Sequence, residues 1–319
     1  MYKLAILTPI HHIDGLMELL KSRFDCVYRP DDDLNEVSNY ISDVDLVFTN
    51  PNSSKFNINS DFFNLCNSIK AIYTVSTGTN HIDLDEAVKR KIKIYSLTRE
   101  LDLINQLSST AELAFTFALM STRRILPAIA SVKEGNWNYQ PFVGRQFSKL
   151  NIGVIGFGRL GKMFSQYCKS LGSSVFVFDP FVPIDNSYQF VDDLLVIAKK
   201  ADVISLHVHL TESTRNLINN IFLSHCKESV TLVNTSRGEI VQEIDLINFL
   251  RKNPHASYYT DVLSDEISGR DVNPILNNKD VAHQIIVTPH IGGMSIDGQT
   301  QAFYFAANKL ISLYGNDKI

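Results

Sequence analysis

Between Asn151 and Asp179 the chain reads NIGVIGFGRLGKMFSQYCKSLGSSVFVFD, and no other stretch restricts the fold as strongly. An apolar run, Ile152 to Ile155, meets Gly156-x-Gly158-x-x-Gly161; an amphipathic helical stretch follows, then a second apolar run, Val175 to Phe178, that stops on Asp179. Strand, glycine turn, helix, strand and acid form the βαβ arrangement that binds a dinucleotide. Gly156 permits the tight turn, Gly158 has no side chain to hold a pyrophosphate off the backbone, and Gly161 lets helix and strand pack closely. The helix start then offers unpaired N–H groups and a positive dipole end to phosphate. Asp179, eighteen residues past Gly161, is placed to accept hydrogen bonds from a ribose diol. A carboxylate there repels a 2′-phosphate, and Pro180-Phe181 brings no arginine to receive one, so NAD is expected rather than NADP.

About 150 residues precede the motif in a chain of 319, enough for a domain of their own. Short apolar runs at Lys3–Leu7, Cys26–Tyr28, Asp45–Phe48, Ala71–Val75 and Ile92–Tyr95 alternate with helical patterns at Ile13–Ser22, Leu34–Ile41, Asp61–Cys66 and Leu84–Arg90. That alternation predicts a parallel sheet covered on both faces. A single helix is predicted over about Leu107 to Ile125; it is apolar nearly all round in its middle and must therefore be buried. Strands are expected again at Val203–His207, Thr231–Asn234, Tyr258–Asp261 and Ile285–Thr288, with a helix at Ile244–Arg251 and a long terminal one at Ile296–Tyr314. Asn52 to Ser60, rich in Asn and Ser, reads as a surface loop. The fold class expected is α/β, with two doubly wound parallel-sheet domains.

Formal net charge is −4 with no long basic run, which disfavours a nucleic-acid partner. No apolar stretch approaches a membrane span, and MYKLAILTPIHHIDGL carries two histidines and an Asp where a secretion signal would be cleaved. The four cysteines, Cys26, Cys66, Cys168 and Cys226, lack metal-type spacing and read as small hydrophobes in a reducing cytosol. A cytoplasmic protein that needs no metal is expected.

In doubly wound sheets ligands lie beyond the carboxyl ends of the strands. The polar residues there are His207, Asn234-Thr235-Ser236-Arg237, Asp261 with nearby Glu266, and Thr288-Pro289-His290. Moving a hydride onto a ketone requires a proton donor for the oxygen and a cation to polarise it. His290 suits the first role and Arg237 the second; a carboxylate against the imidazole would favour its charged form and fix its tautomer. Each has a plainer alternative as a satisfied structural histidine, an ion-paired arginine or a solvated glutamate.

These residues carry a resemblance. From Ile69 to Gln301 the chain resembles the D-isomer-specific 2-hydroxyacid dehydrogenases, the family that includes D-3-phosphoglycerate dehydrogenase. VIGFGRLGK looks like the family's dinucleotide turn, and LHVHLTESTRNLIN like its next strand and loop. LVNTSRGEIV carries the substrate arginine, TDVLSDE the nicotinamide-side acid and the histidine's acid partner, and TPHIGG the proton-transfer histidine. The resemblance thus implies Arg237, Glu266 and His290 as catalytic residues, with Arg237 holding substrate carboxylate and carbonyl. It implies cofactor contacts from Gly156, Gly158, Arg159, Leu160, Gly161, Asp179, His207, Thr235, Ser236, Asp261, Thr110 and Gly293. STGTNHID (Ser76 to Asp83) resembles the loop whose amides, here those of Thr77 and Gly78, hold the substrate carboxylate.

By the same resemblance a Rossmann NAD domain, residues 99–290, is inserted into a flavodoxin-like substrate domain, residues 1–98 plus 291–319. A homodimer built near Thr110-Ala111-Glu112 is implied as well. Ser76, His209, Leu263, Ile267 and Met294 depart from the family pattern, which affects substrate identity more than reaction type; Lys55, His81 and Arg99 are candidates to meet a substrate phosphate. Glu266 argues against a formate dehydrogenase, whose histidine pairs with Gln. The competing reading from another class is an NAD-sensing scaffold or corepressor-like binding protein with little turnover.

Overall fold

The computed structural model describes residues 1–51, 55–183, 185–267 and 269–315. The chain forms two compact units, one from Met1–Leu107 with Gly293–Ile319 and the other from Ser108–Gly292. The division falls slightly beyond the expected 98/99 and 290/291. Residues 99–107 go with the first unit because the short helix Leu101–Ile104 buries Ile104 in that unit's core.

In the first unit β1 (Lys3–Ile6), β2 (Asp25–Tyr28), β3 (Leu46–Thr49), β4 (Ala71–Thr74) and β5 (Lys93–Tyr95) are all parallel, in the order β2-β1-β3-β4-β5. This is the flavodoxin-like order. The period-2 geometry of a strand explains its two cores. Leu4 and Ile6 of β1 join Phe48, Tyr73 and, from the helix Ile296–Tyr314, Phe303, Ala306 and Leu310. Ala5 and Leu7 point the other way, toward Val47, Ile72 and Phe62. Both faces are covered, as a parallel sheet requires. Of the loop expected at Asn52–Ser60, residues 52–54 lie outside the described residues; Asn59 caps the helix Ser60–Leu65 through bonds from the Asp61 and Phe62 amides.

The second unit holds β6 (Asn151–Ile155), β7 (Ser174–Phe178), β8 (Gln189–Phe190), β9 (Val203–Leu206), β10 (Thr231–Asn234), β11 (Ser257–Thr260) and β12 (Ile285–Val287). Their order, β12-β11-β10-β9-β6-β7-β8, is the Rossmann order with one added strand. The order reverses between β6 and β9, so the crevice for a ligand opens where those two strands end. Only the two-residue β8 was absent from the strands expected, being too short for its own pattern.

The helix expected over Leu107–Ile125 is corrected by the structure. It runs Ser109–Thr122 and buries Ala111, Ala114, Phe117 and Ala118 within its own unit. Arg124 is left-handed (φ 50°), and a second helix, Ile125–Lys133, buries none of its residues. Pro127 sits in that helix's first turn, where its missing N–H costs nothing.

One partly buried acid ties the amino ends of this sheet together. Asp202, just before β9, accepts from Arg145 Nη1 at 2.8 Å and Lys227 Nζ at 2.9 Å through Oδ1, and from the Asn151 amide at 2.8 Å through Oδ2. Burial pushes its carboxyl pKa up, but the Asn151 amide, Lys227 and Arg145 outweigh burial and hold it below the usual value. A depressed folded-state pKa means the stabilisation is complete above the unfolded value, about 4, and is lost as pH falls through the folded one. Asp202→Asn is expected to cost about 1–3 kcal/mol at pH 7, the gap from wild type narrowing below about pH 4. Urea denaturation at pH 7 and pH 3 checks this; an equal gap at both would contradict it.

Candidate active site

At the switch point, backbone packs on backbone. Gly156 has φ 92°, and a Cβ there would lie 2.5 Å from the His207 carbonyl oxygen; a Cβ on Gly161 would lie 2.0 Å from the Gly156 carbonyl oxygen. Gly158, which precedes the helix Arg159–Ser170, has nothing within 4 Å of where its Cβ would be. The turn is therefore tight on the protein side and open on the other, above a helix start whose first amides lack intrahelical partners. Arg159 is half-buried beside it, its guanidinium pushed down by burial, and Leu160 is half-buried too.

Asp179 follows β7 as expected. Its Oδ2 accepts from the Phe157 amide at 2.7 Å and its Oδ1 from the Phe181 amide at 2.9 Å. The carboxylate therefore latches the glycine turn to β7, a role the sequence did not suggest, and each oxygen keeps a further acceptor site. His207 and Thr235 follow the neighbouring strands β9 and β10. His207 Nε2 pairs with Ser205 Oγ at 2.9 Å and the ring packs on Phe164, with centroids 5.1 Å apart. Burial pushes its pKa down to about 3, so it is neutral. His207 Nδ1 and Thr235 Oγ1 are buried and, among the described residues, have no hydrogen-bond partner. Such atoms are usually satisfied by something, and a polar ligand on the switch point would serve. Ser236, next in line, donates to the Leu206 carbonyl at 2.7 Å. A cradle open at Gly158, an acceptor at Asp179 and two unsatisfied polar atoms fit a bound dinucleotide.

Farther along the same edge, Arg237, Asp261 and His290 follow β10, β11 and β12. His290 Nδ1 lies 2.7 Å from Glu266 Oε2, with the two side chains 24% and 29% exposed, and Glu266 Oε1 accepts from the Leu263 amide at 2.9 Å. Burial pushes the Glu266 pKa up, but the bond and charge of His290, the Leu263 amide and Arg237 together hold it below the usual value. Burial pushes the Arg237 guanidinium down while Glu266 and Glu239 oppose it. Asp261 accepts from the Thr288 hydroxyl and from the Ile291 (2.8 Å) and Gly292 (2.6 Å) amides; burial still wins and raises its pKa. Both of its oxygens are thus engaged by the loop that carries His290. That loop and the one carrying Glu266 are both strained: His290 has φ 55°, and Asp265, beside Glu266, has φ 51°. Each such conformation costs on the order of 1–3 kcal/mol and persists where the surroundings over-determine it. Nothing in the sequence marked either position. Thr110, on the helix Ser109–Thr122, lies near Gly292, whose Cβ would meet Thr110 Cγ2 at 3.2 Å. Gly293 belongs to the first unit.

In the first unit Ser76 Oγ donates to the Gly78 carbonyl at 2.6 Å and Thr98 Oγ1 to the Thr77 carbonyl at 2.6 Å, while the Leu97 amide bonds the Ser76 carbonyl at 2.9 Å. The hydroxyl that replaces a family glycine thus tightens the loop. His81 is buried with Nε2 3.1 Å from Thr74 Oγ1, so it supports this loop from within. Arg99 is exposed.

Residues 115–292 match the family described as D-isomer specific 2-hydroxyacid dehydrogenase, NAD binding domain. The chain belongs to this family. It is 30% identical over 296 residues to D-3-phosphoglycerate dehydrogenase of Bacillus subtilis, covering 90% of this chain and 52% of that one. Against the hydroxypyruvate reductase of Thermotoga maritima it is 28% identical over 282 residues, 88% of each chain. The chain thus spans about half the length of the first of these relatives but most of the second. Among solved structures, the D-lactate dehydrogenase of Aquifex aeolicus, complexed with NAD and lactic acid, has the same fold. Its TM-score is 0.81 at 24% identity, over 98% of this chain and 95% of that one. No single helix among the described residues is long and apolar enough to cross a membrane.

If the Asp179 carboxylate receives the ribose diol, NADH binding should be at least about tenfold tighter than NADPH binding, about 1.4 kcal/mol, and Asp179→Asn should shrink the gap. Asn keeps an acceptor but brings an N–H₂ group against the Phe157 or Phe181 amide, so affinity for NADH should fall too. Fluorescence titration measures both constants; equal wild-type affinity for the two cofactors would refute the assignment.

Proposed function

We propose that the protein is an NAD-dependent D-2-hydroxyacid dehydrogenase interconverting a D-2-hydroxy acid and its 2-oxo acid. The observation that carries this reading is the His290–Glu266 pair beside Arg237, on the edge of the NAD binding domain where the switch point opens. Gly156 to Gly161, with Arg159, Leu160, Asp179, His207, Thr235, Ser236, Asp261, Thr110 and Gly293, would hold NAD. When bound, the cofactor supplies or accepts the hydride.

The remaining chemistry belongs to the chain. Protonated His290 donates from Nε2 to the carbonyl oxygen as it becomes an alkoxide, and in the other direction the neutral ring takes that proton back. Glu266 on Nδ1 holds the ring in the tautomer that presents Nε2 and favours its cationic form. Arg237 binds the substrate carboxylate and polarises the carbonyl with its planar fork of donors, which the point charge of a lysine cannot reproduce. The amides of Thr77 and Gly78 are the proposed carboxylate holders of the other unit. A scaffold that only senses NAD could retain the same site, so turnover is what separates the two readings. The similarity to hydroxypyruvate reductase at nearly equal length makes small 2-oxo acids the first substrates to try.

A homodimer suits the exposed apolar surface of the segment after Arg124. Ile129 and Val132 are about half exposed, Tyr139 and Val143 largely exposed, and Trp137 lies almost fully in solvent. This face, together with the outer side of the helix carrying Thr110-Ala111-Glu112, is the proposed contact between copies: that helix buries Ala111, Ala114, Phe117 and Ala118 in its own unit and leaves Glu112 and Thr116 exposed.

Hydroxypyruvate, glyoxylate, pyruvate, 2-oxoglutarate and 3-phosphohydroxypyruvate, each assayed with NADH, test the reading; negligible turnover across the panel would favour the scaffold. Arg237→Lys should raise the Michaelis constant and lower turnover together. His290→Ala should cost roughly 100- to 10,000-fold in rate while NADH still binds. Sedimentation analysis of Trp137→Ser is expected to show monomer where the wild type sediments as dimer.

A further inference from the structure

Glu243 opens the helix Glu243–Lys252 and is 8% exposed. Its carboxylate takes the Ser264 amide at 3.0 Å and the Asn273 carboxamide at 3.2 Å on Oε1 and 3.0 Å on Oε2. The same carboxamide nitrogen donates to the Ser264 carbonyl at 3.2 Å, and Asn273 Oδ1 accepts from the Ile275 amide at 2.9 Å to start the helix Pro274–Asn277. Both backbone groups of Ser264 are therefore gripped from one side by two buried side chains. On the other side lies Gly238, whose Cβ would fall 2.0 Å from the Leu263 carbonyl carbon and 2.1 Å from the Ser264 nitrogen. Gly238 is covalently the next residue after Arg237, and Leu263 is the residue whose amide holds Glu266.

Ser264 is thus the point where the Arg237 strand end and the Glu266 loop are pressed together. We propose that Glu243 and Asn273 form a clamp on Ser264 that positions Glu266 against His290 and sets its distance from Arg237. This rests on the dehydrogenase reading and identifies two positioning residues for it. The residue types suit the task. The groups converging on Glu243 are N–H donors at a helix start, which call for a side chain that only accepts; an ionised carboxylate does that and gains from the helix dipole. Glutamine would turn an N–H₂ group toward one of those donors.

The charged groups around the His290–Glu266 pair are Arg237, which faces Glu266, and Asp261, which faces His290; Glu239 acts on Arg237. None of them contacts the clamp in these hydrogen bonds, so a change at Glu243 reaches the pair through Ser264. If the clamp loosens, Glu266 withdraws from the ring and imidazolium is less favoured.

The test compares wild type with Glu243→Gln, Asn273→Ser and Glu266→Gln. Turnover is followed against pH with hydroxypyruvate and saturating NADH, and the His290 ring is titrated in ¹⁵N-histidine-labelled protein by NMR. Glu243→Gln should lower turnover by about ten- to a hundredfold with little change in the Michaelis constant. It should also move the falling limb and the ring titration to lower pH, by part of the displacement seen in Glu266→Gln. Asn273→Ser removes the donor to the Ser264 carbonyl and leaves the Ser264 amide on Glu243, so it should give a smaller part of both effects.

An unmoved limb and titration in folded Glu243→Gln would overturn the clamp, as would a displacement in Asn273→Ser larger than that in Glu243→Gln. If Glu243→Gln fails to fold, Asn273→Ser, which keeps the Glu243–Ser264 bond, must show the smaller displacement or the proposal fails. If the wild type reduces no 2-oxo acid, the dehydrogenase reading falls, while the ring titration still decides whether the clamp governs the pair.

Discussion

Where β6 ends, Gly156 lies against the carbonyl of His207 and Gly161 against the carbonyl of Gly156, so closely that a Cβ on either would fall 2.5 Å or less from an oxygen. The contact joins the glycine turn, the first turn of the helix Arg159–Ser170 and the end of β9 into one piece. With that piece fixed, the helix start points over the switch point and the ends of β9 to β12 succeed one another along the same edge. Arg237, Asp261 and His290 stand on successive strand ends for this reason. Gly238 repeats the device one strand along, where Arg237's neighbour packs on the Leu263–Ser264 backbone. Side-chain-free contact gives the edge a rigidity that side-chain packing, with its rotamer freedom, would not.

The fold was legible because both sheets are parallel and buried on both faces. Such strands read as short apolar runs, which is why β10 (Thr231–Asn234) and the terminal helix Ile296–Tyr314 match the sequence pattern to the residue. The kink at Arg124 was not legible. No Gly or Pro occupies the left-handed position, the apolar pattern runs through it, and Pro127 three residues later was the available signal. Arg237, Glu266 and His290 stood out as polar residues beyond strand ends. The structure brings Glu266 and His290 to 2.7 Å and sets Arg237 close enough to act on the carboxylate. Glu243 did not stand out, because an acid in the first turn of a helix needs no further explanation than the dipole. Its contact with Ser264, twenty-one residues away, exists only in three dimensions.

The strain at His290 and Asp265 shows what the surrounding bonds accomplish. Two left-handed residues cost on the order of 2–6 kcal/mol together. Against this stand the three donors that Asp261 receives from Thr288, Ile291 and Gly292, the Leu263–Glu266 bond and the clamp on Ser264. At about 0.5–1.5 kcal/mol net for each bond, and more for those to charged groups, their sum is of the same size. The loops hold their conformation because those bonds are all made at once.

Asp179, Asp202, Glu243, Asp261 and Glu266 share a habit: each accepts a hydrogen bond from the backbone N–H of a different residue along the loops and strand ends. An ionised carboxylate is suited to this because it presents only acceptors. Their partners then separate them. Asp202 has two cations and is held ionised; Asp261 has amides and a hydroxyl in a buried setting, and its pKa rises. Glu266 lies between these cases, with one oxygen on the Leu263 amide and the other on the imidazole, and Arg237 beside it. Asp261 also faces the imidazole electrostatically, but both its oxygens are taken by the loop backbone. The imidazole therefore has two acids near it and pairs through Nδ1 with Glu266. Asp261 ties down the loop that carries the ring, and Glu266 fixes the ring's Nδ1 edge.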